Sequence, residues 1–191
     1  MDLRQFFFKF RSYTPIPLLL VMLYLSQPYI PAIYYGLVLI VFGESIRIWA
    51  VRNAGGKTRT RKVGAPSLVI SGPFAYVRNP LYLGNVLIYL GFVFVAGGDY
   101  MWWLALACLV FFVVQYSLIV SLEQETLLKK FGEEYSVYCD NVPALLPRLT
   151  PWKSESTSKP KSKKVFKPEK STLLNIVLIL FLIYLRTKLS L

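Results

Sequence analysis

Residues 72–85 read GPFAYVRNPLYLGN, and the side chains best able to do chemistry in this chain stand in or near that run. Arg78 carries a planar guanidinium fork suited to a carboxylate or a phosphate. Gly72-Pro73 is turn chemistry, and Asn79-Pro80 reads as a helix N-cap followed by proline at the first helical position. The helix starting there turns its free N–H groups and the positive end of its dipole towards the arginine, where an anionic group can be held. Gly84, one turn in, permits close approach of another backbone or of a ligand. Tyr76 and Tyr82 flank the arginine. Further on, Glu123 stands at the end of a long apolar run, and a carboxylate so close to lipid is costly unless it is paired or functional. Taken singly, Arg78 is a snorkelling cation, the tyrosines are an aromatic belt and Asn79 is only a cap. Their clustering beside Glu123 favours a site. Glu44 and Arg47, three apart in another apolar run, read either as an intrahelical ion pair or as site lining.

Helices have to position these groups, and the composition names their solvent. The chain has 191 residues, of which 55% are hydrophobic and 16% aromatic, more than a soluble core of this size requires. Apolar stretches occur at 15–27, 30–50, 81–98, 100–122 and 173–189. Since roughly 20 helical residues cross a hydrocarbon core of about 30 Å, the expectation is an all-α, polytopic transmembrane helical bundle of about five spans. Pro15, Pro17 and Pro28 make the first stretch a hairpin arm or a partly inserted segment.

The formal charge of +12 is distributed by topology. Arg4, Lys9 and Arg11 precede the first stretch, and Arg52, Lys57, Arg59, Arg61, Lys62 and Arg78 lie between the second and third. The loops at 26–30 and 97–100 contain neither Lys nor Arg. This alternation places the N-terminus and both large loops in the cytoplasm. The positive excess then serves orientation and attraction to anionic lipids, with no base-stacking module to favour nucleic acid. The stretch KSESTSKPKSKKVFKPEK at 153–170 has seven Lys against two Glu and little to bury, and reads as a basic disordered linker. The expected organisation is a membrane core at 1–150, a linker at 151–172 and an appended transmembrane segment at 173–191.

Between 122 and 149, apolar or aromatic residues fall at 127, 131, 135, 138 and 142, one face of a helix. The spacing predicts that the fourth span emerges and continues as an amphipathic cytoplasmic helix, ended by Pro143 and Pro147. Cys108 and Cys139 are separated in depth by this topology, so no disulfide is expected. Histidine is absent from the whole chain, which excludes His-ligated haem, histidine-box di-iron chemistry and any Ser-His-Asp triad. No metal site is expected.

GPFAYVRNPLYLG, followed by EQETLLKKFGEEYSVYCDNVP, resembles the isoprenylcysteine carboxyl methyltransferase family and its phospholipid methyltransferase relatives, over roughly residues 40–148. The family pattern is close to GPY-x-x-x-RHP-x-Y-x-G, then EE-x-x-L-x-x-x-FG-x-x-Y-x-x-Y-x-x-x-VP. Arg78, Pro80, Tyr82 and Gly84 match the first element; Glu123, Leu127, Phe131, Gly132, Tyr135 and Tyr138 match the second. The family histidine is Asn79 here, and the second acidic residue is Gln124. The resemblance implies S-adenosylmethionine as cofactor, bound at the cytoplasmic face under the amphipathic helix, and a lipid or prenylated acceptor entering from the bilayer. It implies Arg78 and Glu123 as catalytic residues, with Tyr76, Asn79, Pro80, Tyr82, Gly84 and Tyr135 joining them around the cofactor. With no histidine to take a proton, an acceptor already ionised, such as an isoprenylcysteine-type carboxylate, suits the site best. Two readings compete: an NADPH-dependent membrane sterol or steroid reductase, with Arg59 and Arg61 offered to a 2′-phosphate, and a non-catalytic membrane scaffold that keeps the fold.

Overall fold

A computed structural model describes residues 2–54, 63–65, 67–153 and 166–189; Arg59, Arg61 and most of the basic linker fall outside them. The described residues form seven helices and no strand: α1 (Leu3–Phe10), α2 (Ile16–Tyr24), α3 (Ile30–Ala54), α4 (Pro80–Ala96), α5 (Met101–Phe131), α6 (Glu133–Asn141) and α7 (Phe166–Leu189). Three of them, α3, α5 and α7, are long and apolar enough to cross a membrane. The apolar helix α4 has 17 residues and α2 has nine, and at 1.5 Å per residue these span about 26 and 14 Å.

Local chemistry sets the ends. Asp2 caps α1 by accepting the backbone N–H of Arg4, and its carboxyl is held below the usual range by hydrogen bonds from that residue. This amphipathic N-terminal helix lies against α5, with Arg4 Nη1 3.2 Å from Glu125 Oε2. Prolines start α2 and α4, and Gly97, at φ 62°, closes α4. The turns between α2 and α3 and between α4 and α5 are pinned together, because Gln27 N and Ser26 Oγ both donate to Ala96 O.

Inside lipid the exclusion of water no longer drives helix association, so close backbone approach matters more. The chain supplies it with glycines seven apart on each of two antiparallel helices. A Cβ at Gly36 would lie 2.5 Å from Gly91 O, and one at Gly43 would lie 2.7 Å from Gly84 O. Helices α3 and α4 therefore meet backbone to backbone. Beside them Phe92, Cys108, Phe112 and Ile119 fill the bundle interior, while Val38, Phe42, Val110, Val113 and Phe181 face outward, as a lipid-solvated surface requires.

The predicted amphipathic face is present, but the helix carrying it is broken. Helix α5 runs 31 residues, about 46 Å, so its last turns extend beyond a hydrocarbon core of about 30 Å. Gly132 then turns the chain at φ 55°, ψ −127°, a conformation open essentially to glycine, and α6 leaves at an angle. Tyr135 and Tyr138 on α6, with Val142 just after it, pack with Ile70, Leu127, Phe131 and Trp152 as a second small core at the polar end of the bundle. Helix α7 begins at Phe166, inside the stretch read as linker, and packs on α2, α3 and α4.

Candidate functional site

The run GPFAYVRNP folds as a single 3-10 turn, Gly72–Ala75, followed by a short irregular step into α4. What holds it is the second motif. Tyr138 hydroxyl donates to Phe74 O at 2.7 Å, Arg78 N donates to Pro143 O at 2.9 Å, and Arg148 N and Trp152 N donate to Tyr76 O and Ala75 O, each at 2.9 Å. Burial pushes the Tyr138 hydroxyl up from its ordinary value, so it remains a proton donor to Phe74. Asn79 is the N-cap residue, with Pro80 next, as its sequence implies. Its side chain does not cap the helix; its amide donates to Ala144 O at 3.0 Å, tying the chain beyond α6 to the start of α4.

These contacts enclose a cavity of about 650 Å³ that opens at the polar end and extends down between α4 and α5. Its rim carries Arg78, Asn79, Glu123, Gln124, Tyr135 and Tyr138. The next layer is Tyr82, Asn85, Tyr116 and Arg47, with Thr172 from α7. Ile88, Tyr89, Phe92, Phe112, Ile176 and Ile179 line the lower part. From Pro80 to Phe92 the wall of α4 descends about 18 Å. One cavity thus grades from charged to apolar.

Within it, the Tyr82 hydroxyl donates to Glu123 Oε1 at 3.0 Å, and the Tyr82 ring stacks on Tyr116 with centroids 4.4 Å apart. Asn85 Nδ2 donates to the Tyr116 hydroxyl at 3.0 Å, and Asn85 Oδ1 accepts from Arg47 Nη1. Arg47 Nη2 donates to Glu169 Oε2 at 2.9 Å, while Arg47 Nε lies 3.4 Å from Glu44 Oε2. A guanidinium this deep needs its counter-charges, and it has two. The readings of Arg47 as ion-pair partner and as site lining both hold, since it forms the pair with Glu44 and lines the cavity.

Of the residues singled out in the sequence, Arg78, Asn79, Pro80, Tyr82, Glu123 and Tyr135 line this cavity together. Tyr76 packs its ring towards Trp49, 6.0 Å between centroids, and Gly84 lies at the α3–α4 crossing, where an added Cβ would meet Arg47 Cγ and Gly43 O; neither lines the cavity. Asn85, Tyr116 and Phe74 join the site without having been singled out. Asn85 and Tyr116 had a readable signal: each is polar within an apolar helix, on the face shared with Tyr82 or Glu123. Arg78 Nε is buried with no hydrogen-bond partner among the described residues. Cys108 and Cys139 are free thiols, and the described residues contain no cluster of His, Cys, Asp and Glu able to hold a metal ion.

Comparison with known proteins places this arrangement. Nickel-cobalt-cadmium resistance protein NccN of Alcaligenes xylosoxydans xylosoxydans is 30% identical over 111 residues, 58% of this chain and 47% of that protein. Cobalt-zinc-cadmium resistance protein CzcN of Cupriavidus metallidurans is 30% identical over 113 residues, with the same coverage. The chain spans about half the length of these curated relatives. No solved structure matches. The family model described as phospholipid methyltransferase matches residues 31–134, which covers α3, α4, α5 and the start of α6, and so the first motif and the second as far as Glu134. With more than half of its length matched, this integral-membrane chain belongs to the phospholipid methyltransferase family.

Proposed function

We propose that the protein transfers a methyl group from S-adenosylmethionine to a lipid or lipidated acceptor, and that the acceptor group is a carboxylate. The observation that carries this reading is the continuity of one cavity from the buried Arg78 Nε, which has no hydrogen-bond partner among the described residues, to an apolar chamber. A volume of about 650 Å³ lies within the roughly 300–1,000 Å³ typical of cofactor and ligand pockets. When bound, the sulfonium group supplies a methyl carbon open to displacement and departs as a neutral thioether. The chain's own residues do the rest. Arg78 offers its free N–H to the cofactor's carboxylate, and Glu123, oriented by Tyr82, faces the ammonium or sulfonium charge. The stacked Tyr82 and Tyr116 present aromatic surface to a cation. The apolar lower chamber takes the acceptor's chain and keeps water from the reacting centre.

A carboxylate oxygen attacks with its own electron pair and forms a methyl ester, so no proton has to leave. That fits a chain with no histidine. The family description favours a second acceptor, the amine of a phospholipid headgroup, which would require Glu123 to accept a proton. The distribution of Lys and Arg orients the rim towards the cytoplasm, with α2 and α4 completing about five membrane segments alongside the three long helices.

Purified protein in detergent is expected to bind S-adenosylmethionine or its demethylated product saturably, at about micromolar strength or tighter. Labelled methyl groups should then pass into a total membrane extract as base-labile esters. Absence of saturable binding across several lipid compositions overturns the methyltransferase reading. Protection by NADPH without protection by S-adenosylmethionine turns it into the reductase reading. Label on headgroup nitrogen alone overturns the carboxylate and leaves methyl transfer standing.

A further inference from the structure

Helix α7 lies outside the matched family region, yet one of its faces belongs to the cavity. Thr172, Asn175, Ile176 and Ile179 all line it, and their spacing of three, one and three residues is one stripe of a helix. Ile176, Ile179 and Ile183 are buried against the bundle, whereas Leu174, Val177, Leu178 and Phe181 on the other side are exposed. Asn175 is exposed as well as lining the cavity, so it stands where the cavity reaches the outside of the bundle.

The start of α7 is fastened by charge. Arg47 Nη2 donates to Glu169 Oε2 at 2.9 Å, to Oε1 at 3.2 Å and to Thr172 Oγ1 at 3.1 Å, and Glu169 is 1% exposed. Arg47 also bonds Asn85, whose amide donates to the hydroxyl of Tyr116, the tyrosine stacked on Tyr82. The same arginine thus fixes α7 and touches the layer above the apolar chamber.

We infer that the Thr172–Ile179 face of α7, latched by the Arg47–Glu169 pair, is the wall that selects the acceptor, with Ile176 and Ile179 setting the width available to its hydrocarbon chain and Asn175 marking where the amphiphile enters. The inference deepens the methyltransferase reading and rests on it for the identity of the reaction. The occupant is a single prenyl or acyl chain carrying a carboxylate. The gradient of the cavity from charged rim to apolar floor matches that molecule end for end. An apolar wall discriminates chains weakly, so one isoleucine should shift preference by an amount that can be measured without abolishing turnover.

The test uses the full chain in nanodiscs, with two variants of opposite volume, Ile179→Ala and Ile179→Phe. Acceptors are carboxylates on slender saturated and on bulky prenyl chains, and a photoactivatable long-chain carboxylate serves as an activity-independent probe. Ile179→Ala is expected to raise the kcat/KM ratio of bulky to slender acceptors about tenfold, and Ile179→Phe to lower it similarly, with cofactor affinity in both within about twofold of the parent. Photolabel should map to residues 172–179 and fall in Ile179→Phe. An unchanged ratio in two variants that still bind the cofactor, with no label on α7, overturns the inference while methyl transfer stands. Label on α7 in a protein that transfers no methyl group sustains the wall and overturns the reaction. Absence of both overturns both.

Discussion

Arg78→Ala is expected to weaken S-adenosylmethionine binding ten- to hundredfold, the loss of about 1.5–3 kcal/mol associated with a hydrogen bond to a charged group. The melting temperature should hardly move. Arg78 Nε has no partner among the described residues, and the residue's backbone N–H bond to Pro143 O survives the substitution. Arg78→Lys retains the charge and loses the planar fork, so its affinity should fall between parent and alanine. Calorimetry on the three proteins, beside thermal unfolding, separates a binding role from a structural one. Equal affinity in all three would remove Arg78 from the cofactor site.

The largest effect on the fold is expected at the α3–α4 seam. In Gly91→Ala the new Cβ would lie 2.6 Å from Gly36 O and 2.5 Å from Ile40 Cγ1. A side chain can turn aside, but a helix carbonyl cannot, so the two helices must separate. Overpacking of this kind costs about 1–3 kcal/mol. For a chain of this length that is a fall in melting temperature of roughly 2–12 °C in detergent. Separation should also displace Gly84 from Arg47 and open the cavity wall, lowering cofactor affinity. Val110→Ala, on the outward face of α5, is the control and should change neither quantity. A Gly91→Ala protein that melts with the parent would show that the seam is not under close contact.

The same contrast between local and distant partners separates what the sequence made legible from what it did not. Asn79-Pro80 announces a helix start because both preferences are local, and the start is found there. The apolar positions at 127, 131, 135, 138 and 142 are a matter of period, and they share one small core. Gly132 within that period carries no sign of its backbone angles; a glycine can sit in a helix or end one, and here the corner lets α6 fold over Phe74 and Arg78. Asn79 is the reverse case, a correct cap position whose side chain found its partner 65 residues away at Ala144. Arg47 and Glu44 were visible as a pair at helical spacing, but Glu169, 122 residues from Arg47 and within a run of lysines, looked like part of a solvated linker. Its burial depends on where a later helix packs, and no local pattern encodes that.

The graded cavity has a practical consequence for anyone who purifies the protein. A charged rim above an apolar chamber is also what a detergent monomer can fill, headgroup above and tail below. On the proposed assignment, solubilisation adds a competitor to the acceptor side at millimolar concentration, while the rim proposed for the cofactor stays open to water. Apparent KM for the acceptor should rise with detergent concentration and differ between detergents of different tail length, and apparent affinity for the cofactor should not. Turnover recorded in micelles would then understate the enzyme in its own bilayer, where the competing amphiphiles are the ones it evolved among.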